Sequence, residues 1–289
     1  MKPTTMKPAT IRLTTLASLC TAALCTLFLG AQMSQAADRP ATPQAPPKPA
    51  PRFADGRINF GPPAGEAGYW TRRTANLVKN PNSYEARATM SSPIHIDDVP
   101  IQPWALALTN FRHTLFLASE PYTRCKPAGG PRQIMSPYGF EIVDMPELKR
   151  MYILTTSNAM TYRVIYMDGR EHPKDLLPSY FGHSIGHWDG DTLVVDTVGF
   201  NERSWFSRDG LPTTDQLHLI EHYSRPDFNT LNYDVTIDDP GAYTAPWNSG
   251  FVVGWSRDTS EELFEYVCQE NNVSPDSMIG AGRISPIVP

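Results

Sequence analysis

Seven histidines occur in the chain, and four of them form two His-x-x-x-His pairs, His183/His187 and His218/His222. Imidazole gains and loses a proton near neutral pH, and one orienting carboxylate is enough to make it a general base or acid. Each pair lies in a stretch that reads as a strand, where residues four apart share a face, so both rings of a pair project the same way. On an acid–base reading His183 is the base, Tyr180 a proton donor and Arg170 a clamp for an anionic group. His218 and Glu221 complete the catalytic candidates. Arg170 and His172 fall in the loop between a predicted strand at 161–167 and Tyr180, and loops on a rigid scaffold are where sites concentrate. His172, Trp188 and Trp247 are the candidate substrate contacts, the two tryptophans suiting a flat, partly apolar or aromatic molecule.

Other chemistries compete for the same residues. If both pairs faced the inside of a barrel, His183, His187, His218 and His222 would bring up to four nitrogen donors into one cavity. With Glu221 or Asp215 beside them, such a set suits a divalent transition metal. Against this, Leu217, Leu219 and Tyr223 form the more apolar face of the second strand, and the apolar face is normally the inner one. A cofactor-free site is therefore the reading adopted, with an interior lined by imidazole and aromatic groups as the expectation and a His-ligated metal as an alternative. Gly182-His-Ser184-Ile-Gly186 has the spacing of a nucleophile elbow, but that motif needs a helix after the serine and a strand follows here. Asp238-Asp239-Pro240-Gly241 could pair carboxylates but is first a turn sequence.

The elements that would position these groups are β-strands. Trp188-Asp189-Gly190-Asp191 sits between an alternating run through Ile185 and the β-branched run Thr192–Val198, and Asp-Gly in that setting signals a hairpin. Strands are expected at about 139–144, 151–157, 161–167, 183–188, 192–199, 216–224, 230–238, 249–255 and 262–268, several joined by turn residues such as Ser157-Asn158, Pro226-Asp227 and Arg257-Asp258. Pro103 opens one helix, from Trp104 to about Ala118, and the irregular stretch from Phe53 to Ile101 can be assigned no clear element. The fold class that follows is all-β: an antiparallel meander closed into a lipocalin-like barrel, because closure removes exposed edges, with one N-terminal helix. A two-sheet sandwich is the alternative.

Composition limits the function classes. Hydrophobic content of 40% and charge of 19% are those of a globular protein, and 28 prolines argue for many loops. A net charge of −5 without any Lys/Arg cluster removes the footprint of a nucleic-acid binder. Residues 1–36 have the layout of a cleavable signal peptide: Lys2, Lys7 and Arg12, an apolar run from Leu13 to Gly30, then small residues to Ala37. Cys20 and Cys25 lie in that run, each after a leucine where a lipidated cysteine wants a small residue. No membrane span is expected after cleavage, which places the protein in the periplasm or outside the cell. Residues 37–52 form a proline-rich linker, and 53–289 a single barrel domain. Cleavage leaves two cysteines, Cys125 and Cys268, which in an exported protein read as one disulfide, the alternative being two buried free thiols.

Several stretches carry a resemblance. Ile101-Gln-Pro-Trp-Ala105, Arg124-Cys-Lys-Pro127 with Pro131-Arg132, Ile165-Tyr-Met-Asp-Gly-Arg170 with His172-Pro173, the block 180–200, and Thr236-Ile-Asp-Asp-Pro240 through Tyr243-Thr-Ala-Pro-Trp247 resemble a large family of uncharacterised secreted bacterial proteins. The similarity spans roughly residues 95 to 272. It implies a bacterial, exported protein and brings no reaction with it. His218 matches the family pattern, whereas His187 and His222 stand where relatives usually carry Arg. Taken together, the residues point to an exported enzyme performing cofactor-free acid–base chemistry (lyase, isomerase or hydrolase) on a small, partly apolar or aromatic molecule. The alternative is a non-catalytic periplasmic protein that binds such a molecule.

Overall fold

The computed structural model describes residues 46–71, 78–79, 94–115, 120–135, 138–156, 161–206 and 210–257, together with residues 263, 264, 266 and 268. Apart from Pro46 they belong to the unit Pro47–Pro289. The expected signal segment, residues 37–45 of the expected linker and the expected Ser157-Asn158 turn lie outside the described residues. No helix among the described residues is long and apolar enough to cross a membrane.

Twelve elements follow in order: β1 Tyr69–Thr71, β2 Val78–Lys79, β3 Ile94–His95, α1 Pro103–Thr114, β4 Phe140–Met145, β5 Arg150–Thr155, β6 Thr161–Tyr166, β7 His183–Asp189, β8 Thr192–Val198, β9 His218–Asp227, β10 Thr230–Asp238 and β11 Trp247–Ser256, with short 3-10 turns between some of them. Nine strands close into a barrel in the order β1-β11-β10-β9-β8-β7-β6-β5-β4, sealed where Trp70 of β1 pairs with Phe140 of β4. β2 and β3 form a separate parallel pair. The barrel is mostly meander, because short turns join most neighbours. Gly190 supplies the positive φ (57°) at the β7–β8 turn, where Asp189 pairs with Thr192 and the register runs back to His183 opposite Val198.

One join breaks the meander. β6 and β7 run parallel, with Ile165 opposite Ser184 and Tyr166 opposite Ile185, so the wholly antiparallel expectation is corrected here. Parallel neighbours cannot be linked by a tight turn. The chain instead leaves β6 at Met167, crosses the barrel's exterior and re-enters at His183, held on the way by the Ser179 N–H on Gly199 O (3.0 Å).

A second correction concerns the strand that closes the barrel. Of the strand expected at 262–268, the described residues Leu263, Phe264, Tyr266 and Cys268 are irregular. The ninth strand is β1, three residues long and so too short to show a period in sequence. Trp70 is fully buried, donates from Nε1 to Phe60 O (2.7 Å) and meets Trp255 edge-on. Beside it Arg225, packed against the Trp70, Phe228 and Trp255 rings, donates to the carbonyls of Asn59, Gly61 and Phe228. The end of the expected linker also docks: Pro49 bridges to Asp227, and Phe228 N–H donates to Lys48 O.

The helix begins at Pro103 as expected and ends at Thr114; Ala118 lies outside the described residues. Cys125 and Cys268 form a disulfide with a Cα–Cα distance of 5.5 Å. Period-two alternation decides what fills the barrel. Leu193, Val195, Leu219, Tyr223, Leu231, Tyr233, Val235, Phe251 and Val253 point inward and are buried. The alternate residues of the same strands, among them Asp196, His218 and His222, point outward, as does His183 beside the buried Ser184 of β7.

Candidate acid–base site

The interior expected to carry imidazole carries something else. Arg163 of β6 reaches across the barrel under β7 and β8, donating from Nε to Ser184 Oγ (2.9 Å) and from one terminal nitrogen to Thr197 Oγ1 (2.6 Å). Its guanidinium forms a two-pronged ion pair with Glu221 of β9, one arm being Nη1 to Oε1 at 3.0 Å. Tyr223 and Tyr233 both donate to Glu221 Oε1, at 3.0 and 2.9 Å. All six residues are at most 2% exposed. Burial works against the Arg163 charge, but Glu221 together with Tyr223 and Tyr233 outweighs it and raises the guanidinium pKa. Burial, then the same carboxylate, pushes both tyrosines up, so they stay neutral donors. Glu221 is thus placed in a closed internal network, away from the histidines it was expected to serve. Ser184, the centre of the elbow-like spacing, belongs to that network too.

The imidazoles gather on the outer face. In register, Asp196 of β8 lies between Ile185 of β7 and Ile220 of β9, and His183 and His218 stand one pleat along on either side. Such diagonal neighbours are within reach of long side chains. His218 Nε2 meets Asp196 Oδ1 at 2.8 Å. His183 is joined to Asp196 through His172, which the β6–β7 crossover delivers between them. Its Nε2 lies 3.2 Å from the same Asp196 oxygen, and its Nδ1 lies 2.8 Å from His183 Nδ1. The four side chains form one chain of contacts, His183–His172–Asp196–His218, with side-chain exposures of 20% for His172, 35% for Asp196 and 39% for His218. It is open to solvent at both ends.

The partners fix the tautomers. A carboxylate only accepts, so His172 and His218 both present N–H at Nε2. Neutral His172 then has a lone pair at Nδ1, which accepts from His183 Nδ1–H. Neutral His183 is left with its lone pair at Nε2, the atom that faces away from the chain. His183 stacks on Tyr166 (ring centroids 5.0 Å apart), and the Arg170 guanidinium lies over the Tyr166 ring at 3.9 Å. Burial, and then His172 and Arg170, lower the His183 pKa from 6.5, so the ring is a free base at neutral pH.

Comparison with protein-family models, with curated proteins and with solved structures found no match.

Of the residues singled out in the sequence, His183, His172 and His218 are brought together. Arg170 stands beside them, bound to Asp168 (2.6 Å) rather than open to a ligand; its hydrogen bond holds the Asp168 pKa down to about 2. Tyr180 sits half-buried in the crossover with its carbonyl against Gly129, outside the chain of contacts. Trp188 faces inward and stacks on Phe60, and Trp247 is buried against Phe206 and Tyr243. His187 is exposed, and His222 lies across Val194 from it. Among the described residues no group of three or more His, Cys, Asp or Glu is arranged to hold a metal ion. Two residues were missed. Tyr166 was seen only as part of a motif, and Asp196 only as part of a strand, although a lone carboxylate in Leu-Val-Val-Asp-Thr-Val, counted back across the Gly190 turn, falls on the face of His183.

Proposed function

We propose that the protein is an exported enzyme that moves a proton on a small, partly apolar molecule lying against the outer face of the barrel, with His183 as base and no cofactor. The supporting observation is the hydrogen-bonded chain from Asp196 through His172 to His183. It leaves the lone pair of His183 Nε2 directed outward and gives the proton taken up there a place to be stabilised. On accepting a substrate proton at Nε2, His183 can pass its Nδ1 proton to His172 Nδ1, so the positive charge rests beside Asp196. His218, bound to the same oxygen, offers Nδ1 as a second exchange point for returning a proton. On the other side Tyr162 and Tyr152 make an outward aromatic pair, 6.2 Å apart, which suits an apolar or aromatic substrate face. Export is supported by the Cys125–Cys268 disulfide, a bond that persists in oxidising compartments, together with the signal-like first 36 residues.

The test is a chromogenic panel of aryl esters, aryl glycosides and β-elimination substrates, run with the wild type and with His183→Ala. Turnover with kcat/KM falling on the acid side of neutrality, reduced about 10²–10⁴-fold in the variant, supports the reading. Unchanged turnover in a folded His183→Ala protein removes the base.

A further inference from the structure

The outer face continues past Asp196 and His218. On the row of Asp196 and Ile220, β10 presents Thr236 and β11 presents Asn248; on the next row Val194, His222, Asp234 and Gly250 are aligned. Gly250 closes off that row without a side chain, since a Cβ there would stand 2.5 Å from Asp234 Oδ1 and 2.6 Å from the Tyr233 carbonyl oxygen. Beside it lies an open groove of about 280 Å³ lined by His222, Asp234, Thr236 and Asn248, with Val235 and Ser249 at its floor. That is just below the usual range for ligand sites, ~300–1,000 Å³, and those are mostly apolar whereas this one is polar.

The hydrogen bonding inside the groove narrows what fits. Thr236 Oγ1 donates to Asn248 Oδ1 (2.7 Å), which orients the amide and leaves its Nδ2 as a double donor. Beside it stand the Asp234 carboxylate, an acceptor only, and the Thr236 oxygen with a lone pair to spare. An anion would meet Asp234 and the neighbouring Asp238; an apolar group would leave carboxylate and amide without partners. A hydroxyl is donor and acceptor at once, so two adjacent hydroxyls can satisfy Asp234 and Asn248 together.

We propose that this groove binds a sugar ring through two neighbouring hydroxyls, and that the molecule acted on at His183 is a short saccharide or glycoside. Two strand spacings, ~10 Å, separate Thr236 from Asp196, so a ring held in the groove lays its neighbour over the histidines. The binding claim stands alone; only its second half rests on the acid–base function proposed above.

Saturation-transfer NMR on the full chain with cellobiose, lactose, maltose and methyl glucoside tests it, using wild type, Thr236→Val/Asn248→Leu, Asp234→Asn and His183→Ala. The expected result is transfer to the ring protons of at least one saccharide in wild type and in His183→Ala, with affinity about tenfold weaker in the groove variants at unchanged circular dichroism. Asp234→Asn preserves volume and carries the test if the double variant fails to fold. No transfer from any saccharide, or equal affinity in folded groove variants, overturns the groove. If saccharides bind as expected while His183→Ala turns over substrate like wild type, the groove stands and the catalytic base is lost.

Discussion

Asp196 Oδ1 lies 2.8 Å from His218 Nε2, and these two residues come from adjacent strands one pleat out of step. The same oxygen also receives His172. One carboxylate therefore orients rings from β9 and from the β6–β7 crossover, and through His172 it governs His183 as well.

Replacing that oxygen's charge should disable the site without disturbing the barrel, because Asp196 points outward. Asp196→Asn is expected to lower kcat/KM by about 10²–10⁴-fold on any substrate that His183 turns over, while shifting stability by no more than ~1 kcal/mol. Urea unfolding alongside the kinetics separates the two effects.

The lowered His183 pKa makes a pH prediction with a definite sign. Its unfolded form binds a proton at about 6.5 and its folded form only at lower pH. Stability from the neutral ring is fully present above 6.5 and is lost as pH falls through the folded pKa, since the unfolded state then binds more protons. The wild type should lose more stability between pH 7 and 5 than His183→Gln, as read from urea midpoints; parallel profiles would contradict the shift.

The buried pair inside the barrel behaves differently from an exposed one. Arg163→Met leaves Glu221 charged and unpaired among buried groups, at a cost of about 3–5 kcal/mol. Arg163→Met combined with Glu221→Gln should cost less than the sum of the two single changes, because neither charge is then stranded. Additive losses in chemical denaturation would mean the two groups act independently.

Reducing the Cys125–Cys268 bond opens a loop spanning 143 residues. On the chain-entropy account the loss is about 4–5 kcal/mol for so long a loop, and Cys125→Ser/Cys268→Ser should match the reduced wild type. Calorimetry with and without reductant measures it.

Much of this was legible in the sequence because alternation is a local signal. Leu231, Tyr233, Val235 and Ile237 announced β10, and the Asp189-Gly190 turn fixed the β7–β8 register. The apolar side of β9 also foretold that His218 and His222 would face out, and the same alternation set Glu221 inward with Leu219 and Tyr223, where a carboxylate needs a partner such as Arg163. What was not legible is non-local. β1 owes its place to the burial of Trp70 rather than to any pattern in three residues. The parallel β6–β7 join depends on where the crossover packs, and with it goes the delivery of His172 onto the outer face.

The central claim is the direction of the hydrogen bonds from Asp196 to His183, and long-range ¹H–¹⁵N NMR of the imidazole rings at pH 8 reads it directly. The account predicts His172 and His218 protonated at Nε2 and His183 protonated at Nδ1, with all three exchanging this pattern for a mixture in Asp196→Asn. His183 protonated at Nε2 in the wild type, or the same tautomers with and without the Asp196 carboxylate, would contradict it.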